Sequence, residues 1–146
     1  MHEMDTINQY NEVAAAFIAR VFLGLLFFFQ GYDAVFKVKI RNVIRAYENS
    51  LKHKGVPKAL IVLGAWFTSF AEVVGGLLLI IGLFQPQALF LLGADLIVAS
   101  IGFAIMTPVW DLRFVFPRLA LLLFLLLIPH TWDLWSADNL IHHLQQ

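Results

Sequence analysis

Apolar residues run along this chain in four long blocks, separated by short polar stretches. A helix crossing a hydrocarbon core of roughly 30 Å needs about 20 mainly apolar residues, and each block is close to that length. The pattern predicts spans over about 13–36, 59–84, 88–106 and 110–129. The first is interrupted by Arg20, Gln30 and Asp33, the second by Glu72, the third by Asp95, and the fourth by Pro117 and Arg118. Gln85-Pro86-Gln87 reads as a tight polar turn between the second and third spans, because proline cannot continue the preceding helix. No ten-residue segments alternate in the way a transmembrane barrel requires. The fold class is therefore all-α: an integral membrane four-helix bundle with antiparallel up-down topology, forming one domain over 1–146.

Between the first two blocks the period changes. Ile40, Ile44, Tyr47 and Leu51 recur at helical spacing while Arg41, Arg45 and Lys52 turn to other faces, and Gly55-Val56-Pro57 breaks the run. This predicts a basic amphipathic helix after the first span, lying in the inner interface against anionic lipid. Lysine and arginine outside the spans all fall on one side. Lys37, Lys39, Arg41, Arg45, Lys52, Lys54 and Lys58 lie in or beside the loop after the first span and Arg113 beside the loop after the third, at the inner end of the fourth span, and the other loop and both ends have none. The positive-inside rule then places loop 37–58 in the cytoplasm and both termini outside, with the cell (inner) membrane as the location. Trp132 and Trp135 are expected interface anchors, and Ser136 is positioned to cap a short helix running through Leu144.

Composition sharpens this picture. Of 146 residues 60% are hydrophobic and only 14% charged, with net charge zero and mean hydropathy +0.79. Soluble domains are about 25% charged, and nucleic-acid-binding proteins are basic, so both classes are excluded as readings. There is no cysteine, which removes thiol-disulfide chemistry and thiolate metal sites. His2, His130, His142 and His143 share one side with Asp133 and Asp138. Adjacent helical histidines point about 100° apart and no HxxxH spacing occurs, so no metal site is assigned.

Four ionisable residues lie deep in the spans, where lipid tails should be: Arg20, Glu72, Asp95 and Arg118. Each left unpaired at a helix centre costs about 2.5–3.5 kcal/mol on insertion scales. A rise of about 1.5 Å per residue puts Arg20 near the depth of Asp95, and Arg118 near Glu72. Two diagonal pairs or one four-member cluster are both compatible with this count. The charges share stripes with small residues (Gly24 and Gly31, Ala65 and Gly76, Ala99 and Gly102), which favours a bundle-facing orientation. They are candidates either for a structural register or for the lining of a polar pocket, which Gln30, Asp33 and Lys37 would extend.

The opening of the first span, Arg20 with Leu23-Gly24-Leu25, Phe28 and Gly31, resembles the DoxX family. So does the second span, with Glu72, Gly75-Gly76 and Leu77-Leu78-Leu79-Ile80-Ile81-Gly82-Leu83. Members usually carry a lysine about three positions after the first-span glycine; here Tyr32 and Asp33 follow Gly31, and the first lysine is Lys37. The resemblance implies a four-helix membrane bundle, in some members a subunit of thiosulfate:quinone oxidoreductase or of another membrane redox assembly. It carries over to Arg20, Gly24, Gly31, Glu72, Gly75 and Gly76, the glycines as helix-packing positions, and supplies no catalytic residue. Three functions stay open. The first is an accessory or anchoring redox subunit with a quinone or lipid contact in the bundle. The others are a scaffold for a protein partner, including a second copy, and a small transporter using the intramembrane charges.

Overall fold

The computed structural model describes residues 2–51, 53–106 and 115–145, with side chains from residue 9 onward except His130. Helix α1 spans His2–Tyr32 and passes into a π-helical turn, Asp33–Lys37. That turn closes with Val38 N–H donating to Asp33 O at 2.8 Å. Lys39, at φ 66°, then bends the chain into α2, Ile40–Leu51. Two long helices follow, α3 (Lys58–Ile81) and α4 (Gln85–Met106). Helix α5 spans Phe116–Leu127, a short 3₁₀ turn covers His130–Trp132, and α6 spans Ala137–Leu144. Among the described residues, three helices are long and apolar enough to cross a membrane. The fourth expected span is described only from its second half: α5 is apolar and begins with Pro117 in its first turn, and 107–114 lies outside the described residues.

Close approach of α1 and α3 depends on glycine. A Cβ on Gly76 would sit 2.5 Å from Phe28 N, and one on Gly31 would meet Glu72 Cβ at 2.7 Å. Because Gly24 faces Gly76 while Gly31 faces Ser69 and Glu72, the two helices run antiparallel. Neighbouring Gly75 points elsewhere, against Leu92 of α4. Helix α5 packs on both α1 and α4, so these helices surround a common core. That core includes Leu23, Phe27, Leu79, Leu89, Leu92, Leu96, Leu122 and Leu125. Outside it, Ile18, Phe22, Phe29, Leu63, Phe70, Phe90, Ile97 and Ile101 are exposed. An apolar surface this extensive belongs in lipid, where it costs nothing.

One expected turn lies elsewhere. The chain reverses at Gly82-Leu83-Phe84, and Gln85-Pro86-Gln87 is the first turn of α4. Gly82 (φ 75°) ends α3 with Gly82 N–H on Leu79 O and Leu83 N–H on Leu78 O, the paired bonds of a Schellman stop. Pro86 fits inside α4 because the first helical turn has no intrahelical use for its missing N–H. The amphipathic α2 forms where its period predicts it. Its inward residues Ile40, Ile44, Tyr47 and Leu51 are half-buried or buried, Arg41 and Arg45 are exposed, and it packs against α3 and α4. Lys58 at the start of α3 holds Glu48 of α2 at 3.0 Å.

Candidate functional site

Polar side chains collect at two levels of the bundle. The first is the end where the chain's tail folds back. Arg20, 1% exposed, projects from α1 beneath the α3–α4 turn. Its Nη1 donates to Leu79 O at 3.3 Å and its Nη2 to Trp135 O at 2.5 Å. Its Nε lies 3.6 Å from Asp133 Oδ1, and the Phe17 ring stands 5.5 Å away on another side. The amide of Gln85 faces the same Asp133 carboxylate and, with its NH₂ turned toward it, reaches the two oxygens at 3.1 and 2.6 Å. Only glycine fits above this group: a Cβ on Gly82 would collide with Arg20 Nη1.

The tail is held by a second anchor. Asp138 accepts from Phe84 N–H and Gln85 N–H, both at 3.0 Å, and its own N–H donates to Gly82 O at 3.0 Å. A carboxylate on free N–H groups at a helix start is the favourable placement for negative charge. Ser136 caps α6 through Asn139 N–H at 3.2 Å, as its position in the sequence predicts. Asp133 and Asp138, weighed above as companions of the histidines, thus have roles in holding the tail. The expected pairing of Arg20 with Asp95 is not formed. Arg20 takes Asp133 from the folded-back tail, and Asp95 lies deeper on α4.

The second level lies about 15 Å further in, at 1.5 Å per residue from Arg20 to Gln30. Here Gln30, Glu72, Asp95 and Arg118, one each from α1, α3, α4 and α5, line a cavity of about 230 Å³. Phe27, Leu96, Ala99, Phe103 and Val115 supply its apolar walls. Gln30 Nε2 donates to Glu72 Oε1 at 2.5 Å. No ion pair within 4 Å joins Arg118 to Glu72 or Asp95; its guanidinium stands 5.7 Å from the centre of the Phe27 ring. Asp95 is 1% exposed, and neither of its carboxylate oxygens has a hydrogen-bond partner among the described residues.

Below the cavity, toward the basic loop, sits Tyr47 of α2. Burial pushes its phenol above the ordinary tyrosine value, and the negative charges of Glu72 and Asp95 add to the effect, so this side chain is within electrostatic reach of both. The sequence singled out Glu72, Asp95 and Arg118 by their charge, and Gln30 as an extension. Tyr47 was legible only as one apolar position of an amphipathic helix. Asp33 and Lys37 pair with each other at 2.7 Å on the exposed π turn, away from the cavity lining.

Apolar helices of spanning length, packed through a glycine seam and exposing aliphatic and aromatic side chains, define a multi-pass membrane protein. Within that class the DoxX family model matches residues 15–106, more than half of the chain, and the protein belongs to the DoxX family. No curated protein and no solved structure matches it.

Proposed function

We propose that this protein is a four-pass, up-down membrane subunit of a redox assembly, and that its mid-bundle cavity receives the ring of a quinone. The observation that carries the reading is the cavity itself. Hydrogen-bond donors (Arg118, Gln30) and acceptors (Asp95, Glu72) share one chamber with Phe27 and Phe103, among helices whose outer faces are apolar. Ligand sites combine apolar walls with a few convergent polar groups, and about 230 Å³ suits one ring more than a drug-sized molecule. A lipid-soluble ring bearing polar substituents is the matching chemistry. In this arrangement both termini and α6 face away from the cytoplasm, while exposed Arg41 and Arg45 lie against anionic lipid of the inner leaflet.

The test is purification in mild detergent, with mass spectrometry of the lipid extract and of co-purifying proteins. Quinone and a redox partner are expected with the wild type. Ala99→Trp, which fills the cavity from α4, should lose the quinone and retain the partner. A wild type that brings a protein partner and no quinone would favour a purely anchoring role and end the quinone reading.

A further inference from the structure

Among the described residues, three charged groups line the mid-bundle cavity, two of them carboxyls and one a guanidinium. An ionised carboxylate removed from water costs several kcal/mol unless it is paired and hydrogen-bonded. One arginine offsets one such charge. Glu72 has the surroundings of the ionised member, since the Gln30 amide donates to it over a short distance. Asp95 has the opposite surroundings: it is buried, and no hydrogen bond from the described residues reaches either oxygen.

We propose that Asp95 is a proton-carrying residue of this cavity, holding a proton at neutral pH and exchanging it with the α2 side of the bundle past Tyr47. Among the described residues, the charged and amide groups that line the cavity with it are Glu72 on α3, Arg118 on α5 and Gln30 on α1, and Tyr47, on the α2 that packs across α3 and α4, is within electrostatic reach. Direction follows from what lies at each end. Toward the tail, Leu23, Leu79, Leu89 and Leu92 are fully buried and packed together, which leaves a proton no polar stepping stone. Toward the loop, α2 crosses the helix ends with a half-buried phenol. In the exchange, the Asp95 O–H bond breaks and the proton passes to water or to the Tyr47 oxygen, which releases its own hydroxyl proton. The carboxylate left behind shares the cavity with Arg118. No electron moves, and the step needs no co-reactant.

This inference does not rest on the quinone reading, because it is read on ligand-free protein reconstituted in lipid. Infrared spectroscopy should find the carbonyl stretch of a protonated carboxyl at neutral pH. That band should shift in protein grown with carbon-isotope-labelled aspartate, a measurement that needs no variant. It should disappear in Asp95→Asn and persist in Glu72→Gln. In heavy water the band should shift by exchange, several-fold more slowly in Tyr47→Phe. A missing band, or one insensitive to labelled aspartate, overturns the assignment. An exchange rate unchanged by Tyr47→Phe overturns the route.

Discussion

The two polar levels of this bundle hold similar residues in opposite conditions. At the tail end, Arg20 meets two carbonyls, a carboxylate and an aromatic ring, and Asp138 caps a helix start with both oxygens. About 15 Å away, Asp95 has no hydrogen bond and Arg118 no ion-pair partner within 4 Å among the described residues, although both face one cavity. The difference lies in what covers each level. The tail is an irregular segment whose backbone carbonyls are free to turn toward a guanidinium. The middle is enclosed by regular helices whose carbonyls are already committed to their own ladders. Dense pairing fits a structural fastening, even with the Arg20 Nε left to an ion pair alone, while a carboxyl with no hydrogen bond beside a chamber fits a site for something that enters.

Substitutions can break this contrast, beginning with the strongest. Arg20→Leu takes the guanidinium away from Asp133 and from the carbonyls of Leu79 and Trp135. It should cost on the order of 3–5 kcal/mol, read as detergent thermal unfolding. Adding Asp133→Leu should recover only part of that, because the carbonyls of Leu79 and Trp135 remain without the guanidinium. A harmless Arg20→Leu would mean the tail is held by Asp138 alone. Glu72→Leu should cost about 3 kcal/mol by leaving Arg118 uncompensated, and Glu72→Leu with Arg118→Leu should regain most of it.

Asp95 should respond in the other direction. Asp95→Leu removes a buried polar group that has no partner, so a gain of about 1–2 kcal/mol in the same assay is expected. A marked loss would place Asp95 in a structural network and erase the distinction between the levels. Asp138→Ala removes the cap of α4 and should cost about 1 kcal/mol, with faster hydrogen exchange at the amides of Phe84 and Gln85 as its local signature.

The smallest effect concerns the loop end of the cavity. Tyr47 is held above its ordinary value by burial and by the carboxylates above it. The folded state therefore keeps the phenolic proton after the unfolded chain has released it. Stability should fall as pH rises from about 10 toward the folded value. In Tyr47→Phe that alkaline slope should flatten; a slope identical to wild type would show that Tyr47 is not buried beneath the cavity.

Much of this architecture was legible in one dimension. The three long apolar helices, the basic helix ending at Leu51 and the Ser136 cap follow from periodicity and local chemistry, which act over a few residues. Glu72, Asp95 and Arg118 stood out because charge within an apolar block is expensive wherever it points. Their convergence on one chamber depended on how each helix is rotated, which the glycine approaches of α1, α3 and α4 settle by steric fit. The partner of Arg20 was beyond reach of any count along the chain. Depth matching pointed to Asp95, but Asp133 arrives through an irregular tail with no period, folded over the Gly82 turn and pinned by Asp138. Likewise Tyr47 gained its place beneath two carboxyls only when α2 packed across α3 and α4. Local periodicity determined which segments form helices and which residues cannot face lipid. Tertiary packing alone decided which buried charge is satisfied and which is left facing a cavity, because pairing depends on rotation and fold-back between elements distant in the chain.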